Sequence, residues 1–166
     1  MIKQASWVHG NAVILEEPAR VNVKHMGWGT ELYAPPHIFG APTSFSTWCH
    51  IAIPTPVIVD DVRLKVQNIF LLFKAGQHAA IDNIHIYDGP KRIAAWDVIA
   101  GSNYSARRTG DHSFTIDNQN TFLLPEPHEV VFGLSISFTF LPYDITGPLP
   151  DAEAMLLITT AGADFF

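Results

Sequence analysis

Apolar and polar residues alternate with a period of two along most of the chain. The longest case covers residues 130–140. Val130, Phe132, Leu134, Ile136, Phe138 and Phe140 fall on one face, with Val131, Gly133, Ser135, Ser137 and Thr139 on the other. Successive side chains of an extended chain point to opposite sides. The pattern therefore predicts a strand of roughly 36 Å, with a bulky core face and a small, weakly polar outer face. Shorter runs obey the same rule: Val21 and Val23; Val62, Leu64 and Val66; Ile84 and Ile86; and His112, Phe114 and Ile116 each alternate with polar neighbours. The run Ile69-Phe70-Leu71-Leu72-Phe73 is apolar on both faces, which predicts a central strand covered on both sides.

Turn residues separate these runs. Gly10-Asn11, between Trp7-Val8-His9 and Ala12-Val13-Ile14-Leu15, predicts a two-residue hairpin. Asp88-Gly89-Pro90-Lys91 predicts a second one, and Leu124-Pro125-Glu126-Pro127 leads into the long strand. No amphipathic helix of three turns is visible; residues 152–157 suit a short one, but Ile158-Thr159-Thr160 favours a strand. Residues 27–44, with Gly27-Trp28-Gly29, Pro35-Pro36 and Gly40-Ala41-Pro42, lack any period and read as a long connection. The expected fold is all-β: a single-domain antiparallel β-sandwich, jelly-roll-like, over residues 1–166. Its long strand is central, and residues 155–160 pair near it.

Composition narrows the function classes. Ten Lys and Arg face sixteen Asp and Glu, a formal charge of -6, and no basic stripe suits nucleic acid. Charged residues make up 16% of the chain and hydrophobic ones 48%, against about 25% charged in an ordinary soluble domain. That excess of apolar surface favours a homo-oligomer. The single cysteine, Cys49, excludes an intrachain disulfide and reads as a small buried hydrophobe, with His50 on the opposite face of its strand. The first residues lack the apolar stretch of a signal peptide, so the default location is the cytoplasm, without membrane insertion.

Several segments together resemble a known family. They are Pro54-Thr55-Pro56-Val57-Ile58-Val59-Asp60-Asp61; Ile84-His85-Ile86-Tyr87-Asp88-Gly89-Pro90; Gly110-Asp111-His112-Ser113; Pro127-His128-Glu129-Val130-Val131-Phe132-Gly133-Leu134-Ser135-Ile136-Ser137; and Ala161-Gly162-Ala163-Asp164-Phe165. The chain resembles a family of small, uncharacterised, mainly bacterial all-β proteins. The resemblance covers most of the chain and implies no activity, cofactor or catalytic residue.

Familiar catalytic motifs fail on their spacing. His128-Glu129-Val130-Val131-Phe132 begins like a zinc-protease motif but ends in Phe, on a strand. Gly133-Leu134-Ser135-Ile136-Ser137 lacks the closing Gly of a nucleophile elbow, and Ser135 lies mid-strand. Eight histidines leave a cross-strand metal site open, and Asp60-Asp61, Asp82, Asp88, Asp111 and Asp117 leave calcium open; no cofactor is predicted. The positive signal is aromatic. In the expected hairpin, His85 and Tyr87 share a face, Asp88 follows and Trp96 lies on the other arm. A ring beside Asp or His stacks a sugar and bonds its hydroxyls. The expected function is a non-catalytic module that binds a glycan or small ligand through His85, Tyr87, Asp88 and Trp96, or assembles with itself. The alternatives are a metal-dependent enzyme with a cross-strand His/Asp site and a structural subunit of a larger assembly.

Overall fold

The computed structural model describes residues 1–34, 46–98, 106–145 and 151–166. Among them the strands are β1 (Gln4–His9), β2 (Ile14–Leu15), β3 (Asn22–Met26), β4 (Gly29–Tyr33), β5 (Thr47–Ala52), β6 (Ile58–Val59), β7 (Val62–Arg63), β8 (Lys65–Ala75), β9 (Ala79–Asp88), β10 (Lys91–Trp96), β11 (Asp111–His112), β12 (Thr121–Glu129), β13 (Leu134–Pro142) and β14 (Met155–Phe165). Short 3-10 turns occupy Gly10–Ala12, Pro18–Arg20 and Asp151–Ala154.

All strand pairings are antiparallel. In the larger sheet β8 and β14 lie side by side; β11 and β12 pair the free side of β8, and β1 and β4 share the free side of β14. β3 closes that sheet beyond β4. The smaller sheet has the order β10-β9-β13-β5-β2, and β6 and β7 form a separate hairpin. Asp60 and Asp61 turn that hairpin with φ 51° and 61°, the doubly left-handed turn that matches strand twist. The chain crosses repeatedly between sheets, so their alternating apolar faces meet. Leu32, Ile69, Leu71, Phe73, Phe122 and Phe165 from one sheet join Ile51, Ile84, Ile86, Ile136, Phe138 and Phe140 from the other in one buried cluster. The result is an all-β, sandwich-like fold of packed antiparallel sheets. No helix among the described residues is long and apolar enough to cross a membrane.

The β9–β10 hairpin matches its sequence signal, with Gly89 at φ 56° in the turn. Ile69-Phe70-Leu71-Leu72-Phe73 lies in β8, flanked on both sides, and the outer-face ring of Phe70 stacks with Trp7 at 5.2 Å. Other expectations are corrected. The long strand begins at Leu134, because the Asp88 carboxylate gathers the N–H groups of Val131, Phe132 and Gly133 into a turn. Leu124-Pro125-Glu126-Pro127 belongs to β12, where its pairing to β8 slips between Leu123 and His128. Gly10-Asn11 makes no hairpin: β1 pairs with β14 and β2 with β5, so the turn carries the chain from one sheet to the other. Of His112, Phe114 and Ile116 only His112 is in a strand. Asp111 and Asp117 fold the following residues into turns by accepting backbone N–H groups. Residues 155–160 lie in the sheet opposite β13. Gly29–Tyr33 is a strand; residues 35–44 of the expected connection lie outside the described residues.

Candidate functional site

The outer face of the smaller sheet carries a hollow whose origin is local. Its central strand, β13, turns Ile136 and Phe138 into the core and so presents the small Ser137 outward. Ser137 stands directly opposite His50 on β5 and His85 on β9. Large side chains on both neighbours of a small one leave a depression of about 450 Å³, lined by Glu16, Trp48, His50, His85, Tyr87 and Ser137.

A line of polar contacts crosses this hollow. Ser137 Oγ lies 2.8 Å from His50 Nδ1, and His50 Nε2 lies 3.0 Å from Glu16 Oε1. On the other side, His85 Nε2 lies 2.6 Å from Asp97 Oδ1. An ionised carboxylate only accepts, so the proton of each ring sits on Nε2. In neutral His50, Nδ1 is then bare and accepts the Ser137 hydroxyl proton. The His85 ring packs against Trp48 at 4.7 Å and edge-on to Tyr87 at 6.3 Å.

Of the four residues singled out by sequence, His85 and Tyr87 line this hollow. Trp96 does not join them. A bulge between Arg92 and Ala94 sets Trp96 opposite the core residue Ile84, with its ring 5.4 Å from Phe122. Asp88 is also elsewhere. It is 2% exposed and accepts the Val131, Phe132 and Gly133 N–H groups at 2.8, 2.8 and 2.9 Å, and His128 Nε2 at 2.9 Å. Burial opposes its charge. The hydrogen bonds from Gly133, His128, Val131 and Phe132 outweigh burial and hold its pKa down at about 2. Cys49 faces the core, where burial pushes its thiol up to about 12, the mark of an unreactive structural thiol. Among the described residues no three His, Cys, Asp or Glu side chains converge as metal ligands.

Glu16, Trp48, His50, Ser137 and Asp97 are the members sequence reasoning missed. Outward parity at His50 and Ser137 follows from the apolar Cys49, Ile51, Ile136 and Phe138 beside them. That His50 and Ser137 lie across from each other is a matter of register over 87 positions, which no local pattern encodes.

Sheet architecture and hollow together define an all-β sandwich-like protein with a polar–aromatic depression on one outer face. The chain belongs to a family of unknown function, DUF6623, whose model matches residues 1–112. No curated protein and no solved structure matches the chain. Glu16, Trp48, His50, His85, Tyr87 and Asp97 lie within the matched residues, and Ser137 lies beyond them.

Proposed function

We propose that this chain is a binding module that takes a carbohydrate on the outer face of its smaller sheet. The observation that carries the reading is the grouping of two aromatic rings, the His50–Glu16 pair and His85 around one hollow. Trp48 and Tyr87 offer ring faces to the C–H side of a sugar. Glu16, the Ser137 oxygen and the bare Nδ1 of His85 accept from its hydroxyls. A volume of about 450 Å³ suits one or two sugar rings.

A thermal-shift titration with mono- and oligosaccharides tests this. A true ligand at a hundred times its Kd stabilises the fold by about 2.7 kcal/mol. Trp48→Ala is expected to weaken binding about tenfold, by removing one stacking face. A panel in which no saccharide moves the wild-type melting temperature sinks the reading. Self-association is the second reading, favoured by Phe114 at 90% and Phe132 at 69% exposure. Sedimentation is then expected to show an oligomer that Phe132→Ser weakens, and a wild-type monomer removes this reading.

A further inference from the structure

We infer that Ser137 is a nucleophile and that the hollow hydrolyses an ester carried by a ligand bound there. This rests on the hollow being a ligand site, the reading given above. Three features set the contact apart from an ordinary cross-strand Ser–His pair. First, carboxylate, imidazole and hydroxyl stand in order, at 3.0 and 2.8 Å, within the reach that proton transfer needs. Second, Glu16 fixes the useful tautomer, since an Nε2–H bonded to a carboxylate leaves Nδ1 free to take the serine proton. The ring nitrogens are used in the opposite sense to the familiar serine-protease arrangement. The chemistry requires only one nitrogen held and the other free. Third, Ser137, although only 4% exposed, lines the hollow on strands that hold it rigidly.

The step balances with water as the only co-reactant. Ser137 Oγ bonds to the ester carbonyl carbon as its proton passes to His50 Nδ1, and the carbonyl π pair moves onto oxygen. That negative charge develops in the hollow that Tyr87 and His85 also line. Collapse breaks the bond to the alcohol, which leaves with the proton from His50. Water, activated by His50 in the same way, then cleaves the acyl-serine, releases the carboxylic acid and restores Ser137.

The test uses the full chain, a fluorophosphonate probe and p-nitrophenyl acetate. Peptide mass spectrometry is expected to find one probe per chain, on Ser137. Ser137→Ala is expected to abolish both labelling and ester turnover. His50→Gln is expected to lower turnover about 100-fold or more. Glu16→Gln lowers it too, because its amide can donate to Nε2 and drive the ring proton onto Nδ1. Labelling absent from Ser137 in the wild-type chain, or equal turnover in Ser137→Ala, overturns the inference. The labelling arm needs no variant to fold. If saccharides bind while Ser137 stays unlabelled, binding stands and the nucleophile falls. If Ser137 is labelled while no saccharide binds, the nucleophile stands and the carbohydrate reading falls.

Discussion

Asp88→Ala is expected to destabilise the fold by about 4 kcal/mol at neutral pH, measured by urea denaturation. One buried carboxylate serves three consecutive backbone N–H groups, at Val131, Phe132 and Gly133, as well as His128 Nε2. Removing it leaves all of these donors facing a space that no side chain fills. The turn they form is what ends β12 and starts β13, so the loss spreads to the central strand of the smaller sheet. Asp88→Asn is expected to cost less, about 2 kcal/mol, because one oxygen still accepts while the amide opposes the remaining donors. Acid supplies an independent check. The Asp88 pKa is lowered from 3.8 to about 2, so its charge contributes stability that is fully present above pH 4. That contribution, about 2.5 kcal/mol, is lost as pH falls through 2. The gap between wild type and Asp88→Ala should therefore narrow in acid. A gap that stays constant from pH 6 to pH 2 would show that the charge is not what holds the turn.

Asp88 also shows where a reading of the bare sequence stops. Its place at the end of a hairpin arm was readable from Asp88-Gly89-Pro90, but its partners lie 40 to 45 positions away. The same division runs through the whole molecule. Parity is local: Ile84 and Ile86 face inward while His85 and Tyr87 face outward, as alternation requires. Register is not local. Trp96 would share the face of Tyr87 in a regular hairpin, and a single bulge after Arg92 moves it inside. Phe114 and Ile116 satisfy the strand pattern, yet Asp111 accepts from the Ser113 N–H and the Asn120 amide donates to the His112 and Thr115 carbonyls, which folds that segment out of the sheet. At the candidate site, each member of the Glu16–His50–Ser137 line has the outward parity or edge position its neighbours dictate. The line itself exists only because β2, β5 and β13 lie side by side in that register.

Gly10→Ala and Gly29→Ala are each expected to destabilise the protein by about 3 kcal/mol, and the double variant by clearly less than the two together. The two positions are 19 residues apart but press on the same atom. β1 and β4 lie end to end along one side of β14, with β4 pairing up to Ile158 and β1 starting at Thr160. Gly10 closes β1 and Gly29 opens β4, so both backbones converge on the junction. A Cβ at either position would be driven into the Ile158 carbonyl oxygen, well inside contact distance. The obstacle is backbone, and it cannot swing aside as a side chain can. Gly29 adds a second cost, since its φ of +150° is a conformation that L side chains rarely adopt. Displacing Ile158 also pulls on β8, because the pairing of β14 with β8 already slips between Ile158 and Thr160, where Thr159 Oγ1 bonds Leu72 O at 3.1 Å. One shift of that carbonyl relieves both clashes, which is why the costs do not add. Gly27→Ala is the control: a Cβ there meets nothing within 4 Å, and the change is expected to stay within about 0.5 kcal/mol of wild type. Thermal melts of the four variants decide the matter. Fully additive losses would mean that the two glycines do not share an obstacle, and a neutral Gly10→Ala would mean that β1 does not approach β14 as closely as the structure has it.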